Sequence, residues 1–212
     1  MDHIQSDMAE LFRTRGFRKR NRTYNRVGKD GLVQVINFQM GRYDPPGTYE
    51  IPGMRENLYG YFTVNLGVFV PEVEEIEYPG ESKKFIAEFS CHLRARLGDL
   101  RGARTDLWWP LVAPEMVSAD IRERLIKDGL PFLERFGSRE AIVKDWIDFN
   151  QTLLSGEANA RVIVGIILAK LGRAEEASLQ FTKQIERATN PMQVDNLKKL
   201  AARLGLSNQI GH

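Results

Sequence analysis

Asn37 and Gln39, in the run Gly31-Leu-Val-Gln-Val-Ile-Asn-Phe-Gln39, are amides placed inside a segment otherwise built for burial. Asn65 interrupts a second such run, Tyr61-Phe-Thr-Val-Asn-Leu-Gly-Val-Phe-Val-Pro71. Side chains of an extended chain alternate between two faces. On that rule Phe62, Val64, Leu66, Val68 and Val70 share one face, and Thr63, Asn65 and Gly67 the other. Leu32, Gln34, Ile36 and Phe38 form one side of the first run, with Asn37 and Gln39 opposite beside Val33 and Val35. Ser90–Leu97 alternates too: Cys91, Leu93, Ala95 and Leu97 against Ser90, His92, Arg94 and Arg96. If the three polar faces coincide, amides, an imidazole and two guanidiniums converge. Those groups orient a phosphate, a carboxylate or a peptide backbone through fixed donors. With His92 as general base and Arg94 as charge stabiliser, the same set could serve acid–base catalysis. The pattern equally describes a one-sided antiparallel sheet whose outer face is solvated.

No stronger catalytic signature competes with this set. The sequence has no glycine-rich phosphate loop, no His-Glu-x-x-His and no Cys-x-x-Cys. Of three histidines, His3 and His212 lie at the termini, so only His92 could anchor a metal or a base from within. No metal site and no cofactor are expected. Cys91 and His92 are neighbours and so point to opposite faces of a strand, which excludes a nucleophile–base pair there. Cys91 reads as a buried thiol. Trp108-Trp109-Pro110 is an aromatic pair suited either to anchoring a partner or to packing the sheet against the second half of the chain.

The charge distribution adds a second candidate surface. The net charge is +2, yet Arg13, Arg15, Arg18, Lys19, Arg20, Arg22, Arg26 and Lys29 follow one another without an intervening acid. Phe17 and Tyr24 are interleaved, a composition found at nucleic-acid contacts. The small net charge favours a different use, cations that discourage pairing at a sheet edge. Glu72, Glu74, Glu75, Glu77 and Glu81 form an acidic stretch that could offset the basic one. A single cysteine fits a reducing compartment. The N-terminus carries no secretory pattern, and the longest apolar run, Val162–Ala169, is far short of a membrane span. A cytoplasmic protein without a membrane partner is the expectation.

The elements that must position these residues divide the chain in two. Ile4, Met8, Leu11 and Phe12 predict a helix over Ile4–Arg15. Strands are predicted at Thr23–Val27 and Leu32–Met40, across a Gly28–Gly31 turn, then at Tyr61–Val70, Ser90–Leu97 and Asp106–Pro110. Gly41–Gly60 and Pro71–Lys84 read as loops. From about residue 117 the period becomes helical. Ser118 is the expected N-cap of Ala119–Asp128, with a break at Gly129-Leu-Pro131, and Ser138 that of Arg139–Leu154. Glu157–Leu171 and Ala174–Ala188 form a helical hairpin around Gly172, and Asn190-Pro191 opens a last helix through Leu204. The fold class is therefore α+β: an N-terminal helix and antiparallel sheet over residues 1–114, then an all-helical region over 115–212. The hairpin around Ala169–Ala177 is weakly tetratricopeptide-like, but one unit without a recurring period does not make a solenoid.

The order Gly16-Phe17-Arg-Lys, Tyr24-Asn-Arg26, Gly31–Gln39 and Phe62–Pro71 resembles a bacterial family catalogued only as a domain of unknown function. Its "GF-basic-basic", "QVINFQ"-like and "F-x-x-N-L-G-x-x-x-P" elements all stand in residues 4–71. The resemblance implies an α+β fold and brings no activity, cofactor or catalytic residue. Small bacterial domains of this kind accompany toxins or secreted effectors, which implies an inhibitor or immunity-type role. The combined expectation is a non-enzymatic protein-binding module using Asn37, Gln39, Asn65, His92, Arg94, Arg96, Trp108 and Trp109. An enzyme or ligand-binding domain for a small anionic or nucleotide-like molecule on the same face is the alternative.

Overall fold

The computed structural model describes residues 1–41, 57–80, 83–102, 106–149 and 157–207. Helix α1 (Asp2–Thr14) precedes strands β1 (Arg18–Arg20), β2 (Thr23–Val27), β3 (Val33–Met40) and β4 (Tyr61–Phe69). Helix α2 (Pro71–Glu77), β5 (Leu93–Arg96) and β6 (Trp109–Pro110) follow, then α3 (Pro114–Arg124), α4 (Leu130–Arg135), α5 (Arg139–Phe149), α6 (Glu157–Lys170), α7 (Ala174–Arg187) and α8 (Pro191–Arg203). The sheet is antiparallel in the order β1-β2-β3-β4-β5, and β6 pairs with β4 beyond the end of β5. The architecture is α+β, as the change of period predicts. The long loop expected over Gly41–Gly60 lies mostly outside the described residues.

One face of the sheet is the floor of the main core. Ile36 and Phe38 stand beside Phe62, Val64, Leu66 and Val68, and all six are essentially inaccessible. Helix α1 lays Ile4, Met8 and Phe12 into the same core, while α3 and α4 supply Ile121, Leu130 and Leu133. Rings run across the strands: Phe12 meets Tyr24 at 4.5 Å, Tyr24 meets Phe38 at 6.0 Å, and Phe62 meets Trp109 at 6.1 Å. Gln34 is a buried polar member of this face. Its Nε2 donates to the Leu133 carbonyl at 2.7 Å and its Oε1 accepts from Arg26 Nε at 2.7 Å, so its burial is hydrogen-bonded at both ends.

Three expectations are corrected. The acidic stretch after β4 is not wholly a loop, because Pro71 occupies the first helical turn, where its missing N–H is harmless, and Glu72 and Glu74 complement the helix N-terminus. Ser118 does not cap a helix: α3 starts four residues earlier at Pro114, and Ser118 is buried within it. The expected break at Gly129-Leu-Pro131 is instead a wide turn, Leu125–Gly129, through which α3 continues into α4 with helical backbone. The caps at Ser138 and Asn190 form as expected, accepting from Ala141 N at 3.2 Å and Met192 N at 2.9 Å.

Beyond α3 and α4, which pack on the sheet directly, the helical half meets the sheet half through α2, which packs on α6 and α8. Glu72 takes a bidentate ion pair from Arg139 of α5 at 2.7 and 2.8 Å, and Arg139 also pairs with Asp30 in the β2–β3 turn at 3.2 Å. The acidic stretch thus neutralises a helical arginine and, through Glu74, Lys83. Within the hairpin, a Cβ added at Gly165 of α6 would stand 2.9 Å from the Phe181 ring of α7, so glycine is what permits the close approach.

Candidate recognition face

The register decides the main question raised by the sequence. Asn37 of β3 lies directly opposite Asn65 of β4, Thr23 of β2 opposite Asn37, and Arg96 of β5 opposite Asn65. Gln39 is opposite Thr63, and Arg94 opposite Gly67. Directly opposed residues share a face in an antiparallel pair. The amides and both guanidiniums therefore stand on the face away from the main core, in a row Thr23–Asn37–Asn65–Arg96 across four strands.

Only half of that face is open. The stretch from Lys83 to His92 crosses its other half and closes a second, small core of Val35, Phe69, Ile86 and Cys91. Asn25 holds this cover: its Oδ1 accepts from Ile86 N at 2.7 Å and its Nδ2 donates to Ile86 O at 3.0 Å. Gly67 makes room for Cys91, since a Cβ there would lie 2.6 Å from both Cβ and Sγ of the cysteine. The expected alternation through Ser90–Leu97 fails at its start because Glu88–Ser90 is a helical turn. Cys91 is consequently buried against Gly67, on the face opposite the one its spacing from Leu93 suggests. Burial, and then the Glu88 carboxylate, push its thiol pKa upward, which keeps it protonated and inert.

On the open half the polar groups are knitted together. Asn37 Nδ2 donates to Thr23 Oγ1 at 2.8 Å, Asn65 Nδ2 to Gln39 Oε1 at 2.6 Å, and Thr63 Oγ1 to the Leu107 carbonyl at 3.0 Å. Arg94 grips Glu88 bidentately at 2.7 and 3.1 Å, and this hydrogen-bonded pairing raises the guanidinium pKa. Arg96 pairs with Asp106 and lies 5.2 Å over the Trp108 ring. A groove of about 370 Å³ runs here, lined by Gln39, Asn65, Glu88, Arg94, Arg96, Asp99 and Asp106. Its three carboxylates outnumber its two guanidiniums. Among the described residues Trp108 Nε1 has no hydrogen-bond partner, although it is buried.

Two expected members stand elsewhere. Trp109 points into the main core, where its Nε1 donates to Asp120 Oδ2 at 2.7 Å; consecutive strand residues face opposite ways, so it is Trp108 that lies beneath Arg96, next to the groove but not in its lining. His92 lies at the far end of β4, its ring 5.2 Å from Phe69, and its Nδ1 accepts from Val70 N at 3.0 Å. Burial lowers its pKa to about 4 against the opposing pull of Glu74 and Glu72, so the ring is neutral and committed to the backbone. Glu88, Asp99 and Asp106 are groove residues that sequence reading missed. Glu88 and Asp99 sit in short helical turns, where neither periodicity marks a face. Among the described residues no group of three His, Cys, Asp or Glu could hold a metal ion.

The basic run presents Arg18, Lys19 and Arg20 to solvent on the outermost strand, β1. Its aromatics are unavailable for stacking on bases: Phe17 and Tyr24 are buried in the main core, with Arg26 lying 4.8 Å over the Phe17 ring. Residues 54–135 match the family model described as Domain of unknown function (DUF4304). That span holds β4 through α4, and with them Asn65, Arg94, Arg96, Trp108 and Trp109, whereas β1–β3 precede it. The chain is thus similar to an uncharacterised domain family, over a span that meets the resemblance drawn from residues 4–71 in the β4 strand. No curated protein and no solved structure matches the chain. Among the described residues no helix is long and apolar enough to cross a membrane.

Proposed function

We propose that the chain is a non-enzymatic binding module that recognises another protein through the open half of the outer sheet face. The observation that carries this reading is the alignment of Asn37, Asn65 and Arg96 in one row, flanked by the exposed Gln39 and the groove beneath Arg94. A protein surface offers backbone amides and side chains of both signs, which suits a groove whose charges are mixed and already paired. A lone phosphate or carboxylate suits it less, because both guanidiniums are engaged by carboxylates. The base expected for catalysis is missing from the groove, since His92 faces away with Nδ1 occupied. Within this reading the partner is a bacterial toxin or effector that the chain holds inactive in the cytoplasm, and Trp108 is the aromatic anchor.

The test is photo-crosslinking from position 39 in the native cell, followed by affinity measurement with the recovered protein. Gln39→Arg and Arg96→Glu are expected to weaken binding at least tenfold, while Lys199→Glu on α8 leaves it unchanged. Gln39 is exposed, so Gln39→Arg reports on recognition even if Arg96→Glu disturbs the fold. Failure to capture any partner, or a partner indifferent to both substitutions, overturns the reading.

A further inference from the structure

A second cavity lies where α2 and the end of the sheet meet α6, α7 and α8. It measures about 350 Å³ and shares no lining residue with the groove on the sheet face. Its wall carries Gln184 of α7, an amide only 4% exposed, which has no hydrogen-bond partner among the described residues. Buried amides are ordinarily satisfied, and one that lines a cavity has its capacity to spare for an occupant. His92 contributes a donor, because Nδ1 already accepts from Val70 N and the neutral ring must carry its proton on Nε2. Val73 and Leu197 supply apolar wall.

Charge selects the occupant. Among the described residues Glu77, at the exposed rim, is the only one of the lining charged at neutral pH, and no cation pairs with it. Loss of surrounding water, then the nearby Glu74 carboxylate, raise the Glu77 pKa, so a cation placed there would relieve an unfavourable charge. We propose that this cleft binds an alkylammonium or guanidinium group attached to an amide, with the cation at Glu77 and the amide meeting Gln184 and His92. That chemistry belongs both to a free basic amino-acid amide and to a Lys or Arg residue within a peptide. The site is independent of the sheet-face groove, and either can fail without the other.

Two probes separate the sources: N-acetyl-arginine amide, and a capped Ala-Ala-Arg-Ala-Ala peptide. Each is titrated into the full chain while backbone amide signals are followed by NMR. At least one is expected to shift the signals of Val73, Glu77, His92 and Gln184, and N-acetyl-glutamate amide to bind at least tenfold more weakly. The free amide alone acting identifies a small-molecule site; the peptide acting identifies a site for a basic side chain. Gln184→Met should weaken binding about tenfold and Glu77→Gln about fivefold. Glu77 is at the rim, so its substitution tests the site even if Gln184→Met loosens the hairpin. Absence of shifts with both probes at millimolar concentration, equal binding of the acidic probe, or unchanged affinity in a folded Glu77→Gln protein overturns the proposal.

Discussion

The two faces of the one sheet are built on different principles. The inner face is largely apolar and is covered by three helices, with Gln34 as a buried polar insertion hydrogen-bonded to Arg26 and to the Leu133 carbonyl. The outer face is divided: a covered apolar half around Val35, Phe69 and Cys91, and an open half of linked amides and ion pairs. Hydrophobic burial holds the first face and needs no particular partner. Directional groups hold the second, and these can be exchanged for the groups of another molecule. Stability should therefore reside on the inner face and recognition on the open half of the outer one.

The largest expected effect is on the inner face. Leu66→Ala, at a position with no exposure, should lower the unfolding free energy by about 2–5 kcal/mol in urea denaturation. A loss no larger than that of an outer-face substitution would break the comparison. Next comes acid. His92 titrates at about 4 when folded against 6.5 ordinarily, so below pH 6.5 the unfolded chain binds the proton first. Stability from this group is complete at pH 7, falls as pH drops, and is lost by about pH 4, up to about 3 kcal/mol in all. Denaturation at pH 7, 5.5 and 4 should show that slope, and His92→Gln should remove it.

The covered half of the outer face should respond to smaller changes. Gly67→Ala forces a methyl against Cys91, and about 1–3 kcal/mol should be lost. Asn25→Ala strands the Ile86 N–H and carbonyl at about 1–3 kcal/mol, and hydrogen exchange should show Ile86 opening ahead of the inner core. Smallest is Gln39→Ala on the open half, where water replaces the amide and the change should stay within about 0.5 kcal/mol. A larger thermal shift there would mean that this half is structural rather than recognitive.

Much of the frame was legible. Clean alternation from Tyr61 to Val70 reads directly as one buried and one polar face, and the change to helical spacing after residue 117 reads as the second half. The sharing of a face by Asn37, Asn65, Arg94 and Arg96 could be posed from alternation but not decided, because one residue of register slip would reverse it. Alternation through Ser90–Leu97 misleads at Cys91, since the helical turn Glu88–Ser90 changes the direction of the next side chain. Helix α2 was missed because carboxylates resemble a loop until Pro71 is seen as a helix start. Gln184 carried no signal at all: an amide on an amphipathic helix is ordinary until α2, α6 and α8 enclose it.

What the sequence determined by itself is the set of apolar stripes, since period and hydrophobicity are properties of neighbours along the chain. Those stripes specify an α+β protein, a buried inner sheet face and amides on the outer one. Tertiary structure alone decided which half of the outer face stays open and which is sealed by residues 83–92. It also decided that His92 Nδ1 is taken by the Val70 N–H, and that Trp108 and not Trp109 lies beneath Arg96. These outcomes depend on pairing between residues far apart in the chain, and no local pattern encodes such pairing.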